Sequence, residues 1–174
     1  MTRSFFIVAG SLLLSAAAAA AQGVNDAQIA SIVLTANQVD IDAGKLATAK
    51  SRNPEIKKFG QLMVTDHTGV NKSATELVQK LKVLPQDNPT SQTLKAGALK
   101  NVTQLKTLNG AEFDKAYIDH EVEYHQSVLN ALDRTLIPGA TNAELKALLE
   151  KTRPAFAAHL EHAKQVQASL GKSH

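Results

Sequence analysis

Residues 63–70 read Met63-Val64-Thr65-Asp66-His67-Thr68-Gly69-Val70. Met63, His67 and Val70 recur at i, i+4 and i+7, the spacing that gathers side chains on one face of an α-helix. The stripe extends back through Ile56 and Phe59 and forward through Ala74, Leu77 and Leu81. A period near 3.6 therefore governs this segment, and strand-like alternation is missing from the rest of the chain. His67 replaces a hydrophobe on the stripe, so an ionisable ring is aimed at a core where it needs a partner.

Outward from this segment the same period recurs. Asn53-Pro54-Glu55 is a helix start with Pro in the first turn, where its missing N–H costs little, and the helix is expected to run to about Leu84, before Pro85. Upstream, a helix beginning at Asn25 or Asp26 and ending near Ser51 carries Ile29, Val33, Ala36, Ala43 and Leu46. Downstream, Ser91 to Leu108 has a weaker pattern interrupted by Gly97, expected as a short helix in the connection. A long helix from Ala111 to about Leu136 presents Ile118, Val122, His125, Leu129 and Leu132. After the turn Ile137-Pro138-Gly139, Thr141-x-x-Glu144 reads as a capping box for a last helix reaching about Leu170, with Pro154 expected to kink or break it. Four long amphipathic helices, two short connections and one long 2–3 crossover define an all-α, ferritin-like four-helix bundle with a short extra helix in the crossover.

The amino terminus reads as an address. Arg3, an apolar run from Phe5 to Leu14 and small residues from Ala16 to Ala21 form a signal peptide over residues 1–21, with cleavage expected near Ala21. Residues 22–174 then make a single domain, destined for the periplasm or the outside of a bacterial cell. No later run approaches the ~20 apolar residues of a membrane helix. The chain has no cysteine, so burial without disulfides must hold the fold. Nineteen Lys and Arg against sixteen Asp and Glu leave a formal charge of +3. The lysines are scattered without interleaved aromatics, which gives no footprint for nucleic acid.

Chemistry concentrates on the seams. His67, His125 and His159 lie on or near the stripes of three different helices, and Asp40 lies nearest the stripe of the first. One donor per helix is how bundle metal sites are assembled. Asp40 falls about 11 residues before the first turn and His67 about 13 after it, level within ~3 Å. For His125 and His159 the same count leaves a mismatch of ~9 Å. Glu121, four before His125, serves as a further ligand or as support; Asp66, beside His67, is expected to hold its far ring nitrogen. Imidazole with carboxylate suits zinc, iron, copper or manganese, and not calcium or magnesium. Met63 reads as core packing, and His120 and His162 as boundary residues, with His159-x-x-His162 an alternative chelating pair. The plain alternative makes each histidine a hydrogen-bonded core residue.

Several blocks resemble the domain of unknown function 4142 family. They are Asp40 to Ala47, Asn53 to Phe59, Met63-Val64-x-Asp66-His67-Thr68, Phe113-Asp114-x-x-Tyr117-Ile118-x-x-x-Val122-x-x-His125, and Pro154-x-x-x-x-His159-Leu160-x-x-Ala163. The resemblance spans nearly the whole chain after the leader. It implies an exported bacterial protein with a ferritin-like bundle, and it marks Asp40 (where a glutamate is expected), Asp66, His67, Tyr117, His125 and His159. It carries no established activity.

Two readings follow. The first is an exported protein holding a transition metal in the bundle through His67, His125, His159, Asp40 and Glu121, with Asp66 and Tyr117 behind them, for metal handling or envelope stress protection. The second is a non-enzymatic helical module of the envelope, meeting a protein partner or a second copy of itself, with structural histidines. Enzymatic turnover has no support. The Glu-x-x-His pairs of di-iron bundles are missing, since Val64, Val122 and Phe156 stand three before the histidines. No Gly-x-Ser-x-Gly elbow or phosphate-cradling loop occurs either.

Overall fold

The computed structural model describes residues 23–171. The expected signal peptide lies outside them. Among the described residues six helices are present: α1 Asp26–Lys50, α2 Pro54–Lys80, α3 Pro89–Thr107, α4 Gly110–Ala131, the short α5 Ile137–Gly139 and α6 Ala143–Leu170. A π-helical turn, Leu132–Leu136, joins α4 to α5. The described residues contain no strand, and none of their helices is long and apolar enough to cross a membrane.

Four of the helices, α1, α2, α3 and α6, begin where a short polar side chain takes up orphan backbone donors. Asn25 accepts from Gln28 N while Gln28 reaches back to the Asn25 amide, a full capping box on α1. Asn53 caps α2 with Pro54 behind it, and Asn88 with Ser91 forms the box on α3. For α6 the cap is Asn142, which accepts from Glu144 N and Leu145 N, and not Thr141. Thr141 is turned away because its amide and hydroxyl both donate to Asp26, at 2.9 and 2.6 Å. That pair ties the start of α1 to the start of α6.

Two other expectations change. α2 stops at Lys80, short of Leu84, because Lys82 adopts a left-handed φ of 54° and folds the chain back so that Val83 N donates to Val78 O. α6 continues unbroken through Pro154. A proline in mid-helix removes one i→i−4 bond and crowds the preceding turn, a loss that the packed length of α6 absorbs.

α1 lies against α2, α4 against α6, and α3 lies along α1. α3 is fastened at both ends. Ser31 and Gln28 meet Asp87 and Asn88 near its start, while Lys50 donates to the carbonyls of Leu105 and Lys106 at its end. This second cover explains why α1 is buried beyond its expected stripe, at Ile32, Val39 and Ile41 as well. α1 and α2 meet backbone to backbone: a Cβ on Gly44 would stand 2.7 Å from Gly60 O, and one on Gly60 2.8 Å from Gly44 O. Only glycine fits that approach.

The core has two apolar layers. One holds Ile29, Ile32, Leu129, Leu132, Leu149, Phe156 and Leu160. The other holds Ala43, Ala47, Phe59, Met63, Phe113, Tyr117, Ile118 and Ala163. On the four bundle helices α1, α2, α4 and α6, the residues between the layers are polar: Asp40 on α1, His67 on α2, Glu121 and His125 on α4, His159 on α6. All five are buried.

Candidate metal centre

The sandwiched layer is assembled from one turn of each helix. Ring centroids of His67 and His125 are 5.7 Å apart, of His67 and His159 5.2 Å, and of His125 and His159 5.5 Å. One nitrogen from each of the three lies within 4.8 Å of the others. Asp40, Glu121 and His125 make a second such group, sharing His125 with the first. All five residues that the sequence singled out as ligands thus meet at one level.

His159 joins them although simple counting left it too far from the turn. Two features close the gap. The helical path out of α4 continues through the π turn and α5 to Gly139, adding about one turn to the His125 side. Side chains also tilt toward the N-terminus of their own helix. In an antiparallel pair this carries the His125 ring away from the turn and the His159 ring toward it.

Each imidazole is held by one nitrogen. Asn37 donates to Val33 O at 2.9 Å, which turns its Oδ1 to His67 Nδ1 at 2.7 Å. His67 therefore carries its hydrogen on Nδ1. His125 Nδ1 donates to Glu121 O at 3.0 Å. His159 Nε2 donates to Asp66 Oδ2 at 2.9 Å. The opposite nitrogens, His67 Nε2, His125 Nε2 and His159 Nδ1, are buried with no hydrogen bond, while the buried Asp40, Glu121 and Tyr117 oxygens lie where a protonated carboxyl links them to one another. Asp40 Oδ2 stands between two of the rings, 3.1 Å from His67 Nε2 and 3.5 Å from His125 Nε2.

Two supports differ from expectation. Asp66 holds His159, not His67. One residue along a helix turns the side chain by about 100°, which sends Asp66 across to α6 while its neighbour points inward. Its side chain is 39% exposed, the only member of the constellation that reaches water. Asn37, which holds His67, was not anticipated. The signal was available: Asn37 is a polar residue on the buried side of α1, three before Asp40. Tyr117 lies fully buried beside the two carboxyls. Met63 packs in the apolar layer. His162 stands edge-on to Phe59 with centroids 5.2 Å apart, outside the cluster, and His120 stacks on Tyr124 at 5.8 Å.

Burial sets the protonation states. It raises the Asp40 pKa to about 7, and burial together with the Asp40 charge holds Glu121 well above the usual carboxylate range. Burial pushes His67 down to about 2 and His125 to about 4. His159 is also lowered by burial, against the opposing pull of Asp66. The layer therefore favours neutral imidazoles and protonated carboxyls. No Lys or Arg is buried among the described residues to balance a carboxylate. A divalent cation would do so, with neutral imidazole nitrogens already turned inward.

The fold and the layer define a helical-bundle protein with a buried histidine–carboxylate cluster. The sequence profile of the domain of unknown function DUF4142 matches residues 12–166, and the chain belongs to that family. No curated protein sequence matches it. Two solved structures share the fold. CopM in its Cu(II)-bound form is 19% identical, with a TM-score of 0.64 over 84% of this chain and 98% of that one. A DUF305 protein from Streptomyces coelicolor, provisionally named as secreted, is 10% identical, with a TM-score of 0.68 over 83% and 92%.

Proposed function

We propose that the protein binds one transition-metal ion in the polar layer, through His67, His125, His159 and Asp40, with Glu121 as a further donor. The observation that carries this reading is the set of three buried imidazole nitrogens turned inward without a hydrogen bond, beside the buried Asp40 and Glu121 carboxyls. Each such atom costs about 1–3 kcal/mol. Together they would consume a large share of the ~5–15 kcal/mol by which a domain is stable. Protons shared between Asp40 and His67 and between Asp40 and Glu121 would relieve part of the layer and still leave the inward nitrogens of His125 and His159 unpaired. One cation satisfies the inward nitrogens and the carboxylates together, a balance that purely structural histidines do not reach.

Three imidazoles with carboxylate suit copper, zinc, iron or manganese. The Cu(II)-bound neighbour with the same fold supports testing copper first. An ion held among buried side chains suits holding and handing on the metal better than turnover. Export follows from the leader-like residues 1–21, and the periplasm or the cell exterior is the proposed place of work. The supports match this role: Asn37, the Glu121 carbonyl and Asp66 fix which nitrogen of each ring is free, as outer partners of metal-bound histidines do.

Elemental analysis of the purified chain, followed by chelation and titration with Cu(II), Zn(II), Fe(II) and Mn(II), tests the proposal. One ion per chain is expected, with binding abolished in His67→Ala and His125→Ala. A folded chain that takes up none of the four ions stoichiometrically would overturn it.

A further inference from the structure

We propose that the groove between α1 and α3 binds a single-chain fatty-acid carboxylate. The groove is an open cleft of about 920 Å³, within the ~300–1,000 Å³ common for small-ligand sites. Its floor is apolar: Leu34, Val39 and Leu46 from α1 face Ala98, Leu99 and Val102 from α3. Leu99 is 70% exposed, one of two large hydrophobic side chains left in solvent among the described residues. From Leu34 to Leu46 the slot runs roughly 18 Å along α1, at ~1.5 Å per residue. A groove this elongated, with an apolar floor, can take an alkyl chain laid along it.

Charge supplies the other half of the argument. Lys45, Lys95 and Lys106 line the groove against one carboxylate, Asp42. Asp42 accepts from Gln38 at 2.9 Å, and Lys95 is engaged by Asp87 at 2.8 Å. Lys45 and Lys106 have no carboxylate partner among the described residues. Both belong to the end of the slot where Lys50 covers the last carbonyls of α3. An apolar track with cations gathered at one end matches an amphiphile with an anionic head, and it repels a cationic one.

Calorimetric titration of the full chain with dodecanoate and with dodecyltrimethylammonium, both below micelle formation, tests this. One dodecanoate per chain is expected, with no saturable binding of the cation. The double variant Lys45→Glu/Lys106→Glu should bind dodecanoate at least tenfold more weakly, and Leu99→Ser should weaken it comparably. All three side chains are exposed, so these variants keep the fold. Absence of saturable binding, or equal binding of both amphiphiles, would overturn the proposal. So would a chain that sediments as a dimer and that Leu99→Ser converts to monomer, since the groove would then hold a second copy. His67→Ala should bind dodecanoate as the parent does, which separates this site from the buried layer.

Discussion

Asn37 decides which nitrogen of His67 faces inward. Its amide is fixed by Val33 O, so its Oδ1 can only accept from His67 Nδ1. Replacing it by valine frees the ring, and metal affinity should fall about 10- to 100-fold, the usual cost of losing such an outer partner, with the fold retained; competition with a chromophoric chelator measures it. Asp40 gives a pH signature in the metal-free chain. Unfolded, its carboxyl ionises near 3.8; folded, near 7. Between those values the folded state holds the extra proton, so raising the pH weakens folding. Asp40→Asn removes that dependence. Its melting temperature relative to the parent should climb from about pH 4 to about pH 7 and then level off. The partners of these residues were only partly legible. Periodicity gives the face on which His67, His125 and His159 sit, and counting levels His67 with Asp40 but misplaces His159, because the helical path beyond α4 is hidden from it. Neither says which side chain waits across a seam, which is why Asp66 was paired with its sequence neighbour and not with His159.

At the level of helices, the glycine crossing sets how near α1 brings Asp40 to α2. Gly44→Ala forces a methyl to within 2.7 Å of Gly60 O, and the backbones must part. We expect a loss of about 1–3 kcal/mol. Gly69, also inside α2, has nothing within 4 Å of an added Cβ. There alanine should stabilise by about 0.5–1 kcal/mol, so the two variants should shift the melting temperature in opposite directions. Asn142→Ala should cost about 1 kcal/mol through the lost cap on α6. The helices themselves were legible because burial of one stripe imposes a period that no local exception erases. Their ends were less so. Lys82 in the left-handed region stops α2 without glycine, and Thr141 answers to Asp26, a residue 115 positions away.

Across the whole molecule the arrangement is apolar, polar, apolar, with the polar layer drawing on all four long helices. An ion there stabilises the folded chain by mass action, about 4 kcal/mol when present at a thousand times its dissociation constant. For a chain of this size that is roughly 8–16 °C. Chelation should lower the melting temperature by this amount in the parent and leave His67→Ala unchanged. The layering could not be read from any one helix, since it appears only when four registers are compared. It has a further consequence for the covalent chain. The segment before Asn109 carries Asn37, Asp40, Asp66 and His67; the segment after it carries Glu121, His125 and His159. Hydrolysis of the exposed Asn109–Gly110 bond would part the protein into a three-helix fragment and a hairpin, each with an incomplete donor set and one open flank. Neither fragment would capture an ion alone, yet added metal should rejoin them, turning one chain into a metal-triggered pair.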